Sequence, residues 1–253
     1  MDEVEWLACT DSHGMTRFLR DQASDRKLRL FAVACCRLIW PFLTDPRSQT
    51  AVEVAERYAD GEATPQEADA ALIDAWSASG QTSGAAWDGR RRPPRAAAGH
   101  EQLMGWWAGG SADSAAASAN HDDAWGAAKD ALIFARNGGT PFASSAPSAY
   151  PVEEGEAAQA DLLRCIFGNP FRPSPPLPPA VLAWNDRTVP RIAQAVYDER
   201  RMPEGILDAA RLAVLADALL DAGCDDEALL AHCRSAGPHV RGCKAVDAIL
   251  GKS

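Results

Sequence analysis

Apolar residues at Leu28, Phe31, Cys35, Leu38 and Phe42 recur in alternating steps of three and four. That spacing lays one apolar stripe along an α-helix. Ser24 and Asp25 stand where its N-cap belongs, and Arg26, Lys27, Arg29 and Arg37 supply its wetter side. Pro41 falls inside the pattern and predicts a stop or kink just before it. Upstream, residues 3–20 predict a short helix pair broken at Asp11-Ser12-His13-Gly14. Downstream, Asp45-Pro46 restarts a helix through Val52, Val54 and Tyr58 to Gly61. Thr64-Pro65-Gln66-Glu67 has the form of a capping box with proline at the first helical position. The helix it opens carries Leu72, Ile73 and Trp76 and is predicted to stop near Gly80. The two helices make an antiparallel hairpin.

The pattern loosens from residue 80 to 111, where Asp88 to Arg95 holds two prolines and a glycine and reads as loop. Residues 112–136 predict one alanine-rich helix with Trp125, Leu132, Ile133 and Phe134, ended by Asn137-Gly138-Gly139. A linker of Gly, Pro, Ser and Ala follows to Pro151, then one helix from Glu154 to Phe167. Six prolines between Gly168 and Pro179 predict an extended run. In the last part Thr188 caps a helix with Val189, Ile192, Val196 and Tyr197. A further helix is predicted from Glu204 to Ala222, apolar nearly all round, and another after Asp225-Asp226-Glu227. Pro238 is predicted to start the last one, through Val246, Ile249 and Leu250.

The fold class is therefore all-α: an irregular array of short antiparallel helical hairpins, with solenoid-like stacking as a variant and a Pro-rich extended linker. Three regions are expected: 1–138, helical with an alanine-rich middle; 139–179, a Gly/Pro/Ser-rich linker with one helix; and 180–253, a compact helical region. Composition agrees. Of 253 residues 50 are alanine, more than the 39 Val, Ile and Leu together, and Val, Ile and Thr total only 26. That is too little β-former for a protein built on sheet.

A net charge of −10 disfavours a general nucleic-acid partner, which needs a positive surface. The longest apolar run, Leu30 to Cys36, is closed by Arg37 and falls far short of the ~20 residues that span a bilayer. The opening MDEVEWLACT carries acids where a signal peptide carries bases. Seven cysteines, an odd number, read as reduced thiols. A cytoplasmic protein without a membrane partner is expected.

Several blocks carry a resemblance: Glu5 to Thr10, Ala23 to Arg37 (ASDRKLRLFAVACCR), Leu162 to Pro173 (LLRCIFGNPFRP), Ala216 to Asp225, and His239 to Asp247 (HVRGCKAVD). Together they cover about a fifth of the chain, and it resembles a family of uncharacterised helical proteins from large-genome bacteria. The resemblance implies no catalytic residues; it implies that residues 80–150 are the variable part. The LADALLDAG stretch is also similar to a short helical module repeated in bacterial multidomain proteins.

The densest reactive cluster is C-terminal: Cys224, His232, Cys233, His239 and Cys243. Zinc takes four such ligands in a tetrahedron. His239 and Cys243, four apart, share a face if the last helix starts at Pro238, whereas adjacent His232 and Cys233 do not easily reach one ion. The bland alternative is that Cys233 and Cys243 fill small core positions while the histidines cap helix ends or face solvent. Cys35 and Cys36 read as core. His100-Glu101 begins a zinc-protease pattern that fails at Met104, and Gly251-Lys252-Ser253 lacks the upstream glycine of a phosphate loop. The one basic concentration is Arg90, Arg91, Arg92 and Arg95, near Trp87, Trp106 and Trp107. Exposed Trp and Arg are what interface hot spots use.

With no catalytic motif complete, the reading leans away from an enzyme. The leading expectation is a helical adaptor or regulatory module that binds another protein through the central Trp/Arg segment, with no cofactor required. The alternatives are a zinc-binding protein using the C-terminal cluster, and an enzyme assembled from dispersed residues such as Asp217, Asp221, Cys224 and His239.

Overall fold

The computed structural model describes residues 1–87, 113–120, 123–138 and 152–252. Among these there are twelve helices and no strand, so the fold is all-α. No helix among them is long and apolar enough to cross a membrane. The chain divides into two compact units: residues 10–160, and residues 1–9 together with 161–253. The division falls inside one helix rather than in a linker, and it returns the first nine residues to the C-terminal part.

The 10–160 unit holds α2 (Ser12–Leu19), α3 (Asp25–Leu38), α4 (Pro46–Ala59), α5 (Pro65–Trp87), α6 (residues 113–118), α7 (Ala124–Gly138) and the first part of α8 (Val152–Phe167). Helix α3 is central, packed on α4 and α7, and buries Leu28, Leu30, Phe31, Cys35 and Cys36. Its wet side is narrower than the stripe predicts, because Arg29 and Arg37 are buried too. Arg37 Nη2 donates to Glu56 Oε2 at 3.0 Å, and the Arg29 guanidinium lies over the Tyr58 ring at 4.8 Å. A buried charge persists only when paired like this. Ala51, Ala55, Ala75, Ala78, Ala127 and Ala131 are buried, so alanine here marks surfaces where helices meet. Burial pushes both α3 thiols up, Cys36 to about 12. They are inert core, as the pattern predicts.

Local signals placed most helix starts and fewer ends. The Thr64 box forms in both directions: Thr64 N–H donates to Glu67 Oε2 at 2.8 Å, and Glu67 N–H to Thr64 Oγ1 at 3.2 Å. Asp11 caps α2 from within the expected break by accepting from Gly14 N–H at 3.0 Å. Helix α5 runs beyond Gly80 to Trp87, and the single helix expected over 112–136 is two, α6 and α7. Gly80 has open space around it, so no close approach forces a stop there.

The other unit holds α1 (Glu3–Ala8), the end of α8, α9 (Pro179–Asp198), α10 (Ala209–Asp221), α11 (Glu227–Arg234) and α12 (Lys244–Leu250). Helix α9 packs on α10 and α12, and α10 on α11. The helix expected from Glu204 starts only at Ala209, where Asp208 accepts from the Ala210 and Arg211 N–H groups. Residues 201–206 are held in a turn instead, by isolated antiparallel bridges from Ile206 to Arg201 and to Val240. The last helix likewise starts at Lys244 rather than Pro238, which leaves residues 235–242 as a loop.

Helix α9 is interrupted at Asn185, Asp186 and Arg187, all at positive φ. Asparagine and aspartate tolerate this region, whereas a long side chain is strained there by roughly 1–2 kcal/mol. Arg187→Gly should therefore raise stability by about 0.5–1 kcal/mol, after glycine's own entropy cost. Urea melts of the two proteins check this, and an unchanged or lower midpoint counts against the strain.

Candidate metal centre

Four ligand atoms, one each from Cys165, His232, His239 and Cys243, lie within 4.8 Å of one another inside the 1–9/161–253 unit. Ligands in a tetrahedron at about 2.0–2.3 Å from zinc are themselves roughly 3.3–3.8 Å apart. Shifts of under about an ångström close the group on an ion. Cys165, His239 and Cys243 are buried, and His232 is half-buried.

Each ligand is held by its own local device. Cys165 stands in the last turn of α8, which ends at Gly168 with φ 71°. A Cβ on Gly168 would sit 2.5 Å from Lys244 Cδ, so the end of α8 approaches the start of α12 closely. The fully buried Trp6 pins this end, its Nε1–H donating to Gly168 O at 2.9 Å. The Arg164 guanidinium, beside Cys165, donates to the carbonyls of Trp6 and Cys9 at the end of α1. This stitching is why residues 1–9 belong with the C-terminal part.

His232 lies in α11, which is capped by Asp226 accepting from Leu229 N–H at 3.0 Å. The loop behind it is fixed on both sides of His239: Leu207 N–H donates to His239 O at 2.8 Å, and Cys243 N–H to Val240 O at 2.9 Å. Tyr197 OH accepts from Gly242 N–H at 3.1 Å and donates to Asp247 Oδ1 at 2.7 Å, tying the residue before Cys243 to α12. Cys243 is the N-cap of α12 and makes no side-chain capping bond, so its sulfur is left to face the group.

The protons in the group show what it is suited to bind. His239 Nε2 lies 3.1 Å from Ser235 O. A carbonyl only accepts, so Nε2 carries the hydrogen and the lone pair is on Nδ1. That Nδ1 is buried and has no hydrogen-bond partner. Leaving such an atom unpaired costs about 1–3 kcal/mol. A backbone carbonyl that fixes the tautomer of a histidine is the usual outer support of a metal ligand. His232 Nε2 lies 3.2 Å from Cys243 Sγ, and the two imidazoles meet edge to face with centroids 4.8 Å apart.

The sulfurs divide a proton between them. A hydrogen bond from Cys165 holds Cys243 well below the usual thiol range, against the effect of burial and with help from His232 and His239. The same bond, and then burial, push Cys165 well above it. Burial pushes His239 down, but the Cys243 sulfur and the Ser235 carbonyl outweigh it and the group ends above its ordinary value. Two soft sulfurs and two imidazoles in a largely buried set match zinc in type and number.

Of the sequence candidates, His232, His239 and Cys243 come together, although His239 and Cys243 do so through a loop and not along a helix. Cys224 and Cys233 are buried outside the group. Burial pushes Cys233 to about 12, which fits a core thiol. Cys165 was missed; it sits in an apolar helix end far upstream, and only its place in the LLRCIFGNPF block set it apart.

Of the residues suggested for a dispersed active site, only His239 belongs to this group. Asp217 pairs with Arg234 at the surface at 2.7 Å. A cavity of about 320 Å³ does border His239, lined also by Glu199, Arg201, Leu207, Asp208 and Pro238. Its acids are engaged, Glu199 with Arg211 and Asp208 in capping α10. Arg90, Arg91, Arg92, Arg95, Trp106, Trp107 and the side chain of Trp87 lie outside the described residues. No family model matches the chain, and neither a curated protein nor a solved structure is similar to it at a significant level.

Proposed function

We propose that Cys165, His232, His239 and Cys243 bind one zinc ion, and that the ion is structural: it joins α8, α11 and α12 into a folded unit. The observation that carries this reading is the buried, unpartnered Nδ1 of His239, aligned by Ser235 and set among three further ligands. Four protein ligands complete the tetrahedron and leave no position for an activated water. That argues for a structural ion and against metal-assisted hydrolysis. Elemental analysis of protein purified without chelator should give one zinc per chain. Cobalt in its place should show the visible bands of a tetrahedral site with thiolate charge transfer. Protein that holds no stoichiometric metal, and takes none up on titration, overturns the reading.

Proton competition gives a second check. The metal-free site holds a proton on Cys165, and His239 keeps one up to a raised pKa. Zinc has to displace them, so its affinity is lost as pH falls through the His239 value and grows as pH rises. Below the raised His239 value the affinity should rise roughly tenfold per pH unit for each proton released. Competition titrations against a chromophoric chelator measure this. A flat profile contradicts the assignment of the two protonated ligands.

A further inference from the structure

The two sulfurs of the centre come from opposite ends of the unit's sequence yet meet inside one ligand group. Cys165 ends α8 and Cys243 begins α12, with Sγ atoms no more than 4.8 Å apart. No third thiol is equally placed, since the Cys233 sulfur is outside the group. Of the four ligands only His232 reaches the half-buried layer, and its ring lies against Cys243 Sγ at 3.2 Å. Displacing that imidazole is the short way in, and Cys243 is the first sulfur behind it.

We propose that the Cys165–Cys243 pair is a modification site for hydroperoxides, whose oxidation to a disulfide expels the bound ion. This rests on the zinc reading above. The Cys243 thiolate attacks one peroxide oxygen; an S–O bond forms, the O–O bond breaks, and the leaving hydroxide or alkoxide takes a proton from water. The Cys165 thiolate then attacks the sulfenic sulfur; the S–S bond forms, the S–O bond breaks, and hydroxide leaves and is protonated. The two thiolates lose two electrons and the peroxide bond gains them, so the step balances. Two imidazoles remain, too few to hold zinc in a tetrahedron of protein ligands. A dithiol reductant and free zinc reverse the change.

The test uses the full chain as purified, with its zinc measured first. Hydrogen peroxide is added in the presence of a chromophoric zinc chelator, and the protein is then digested under non-reducing conditions for mass spectrometry. The expected result is release of one zinc per chain together with a Cys165–Cys243 linked peptide. Dithiothreitol with added zinc should restore both. Cys233→Ala should release zinc and form the same link as the parent. Zinc present at the start but retained under peroxide overturns this proposal alone. So does zinc release with both thiols free, or with a Cys233–Cys243 link. Absence of zinc before peroxide is added overturns the metal reading and this proposal with it.

Discussion

On the zinc reading, stripping the metal should unfold the 1–9/161–253 unit or bring it close to unfolding. An ion present at a thousandfold excess over its dissociation constant stabilises the state that binds it by about 4 kcal/mol. Structural zinc in small modules reaches roughly 10–16 kcal/mol of apparent binding energy at neutral pH. A unit of about 100 residues loses on the order of 4–8 °C of midpoint per kcal/mol, so the expected fall is about 16 °C or more. Calorimetry on protein stripped with a strong chelator, and verified as metal-free, reads this directly. Cys165→Ala and Cys243→Ala should each remove more than nine-tenths of the bound zinc and reproduce the fall, while Cys233→Ala keeps the ion. A metal-free protein that melts at the parent temperature would sink the structural assignment.

The second large effect is expected at Trp6. Its ring is fully buried, and its indole donates to Gly168 O at the end of the helix that carries Cys165. Trp6→Ala opens a large cavity and costs about 3–5 kcal/mol. It also strands a buried carbonyl, worth about 1–3 kcal/mol when left unpaired. Trp6→Phe keeps most of the volume and separates the two contributions. Urea unfolding gives both numbers. Because Gly168 is three residues beyond Cys165, Trp6→Ala should also weaken zinc binding, whereas Arg187→Gly should leave it unchanged. A Trp6→Ala loss under about 1 kcal/mol would mean that α1 does not hold the end of α8.

How much of this was legible depended on the range of the signal. Caps at Ser24, Thr64 and Asp226 act within four residues, and the sequence located all three helix starts. The helix expected from Glu204 failed because the residues before Asp208 are held by Ile206 bridging to Arg201 and Val240. The α3 stripe showed which face is apolar. It did not show that Arg29 and Arg37 are buried too, since that depends on Tyr58 and Glu56 in the next helix. The candidate site followed the same rule. His232, His239 and Cys243 lie within a dozen residues and could be read as a cluster, but Cys165 joins them only because the end of α8 comes close to the start of α12. Trp6 gave no signal for its role, because its partner Gly168 is 162 positions away.

That separation also sets a clock. At about 5–20 residues per second of synthesis, roughly 8–32 s pass between the emergence of Trp6 and that of Gly168. The whole 10–160 unit is made in the interval and can pack before α1 has anything to dock on. The candidate ligands emerge in order from Cys165, just before Gly168, through His232 and His239 to Cys243. A nascent chain can hold the full ligand set only once Cys243 has emerged, so on the zinc reading the ion binds after the whole 10–160 unit has been made.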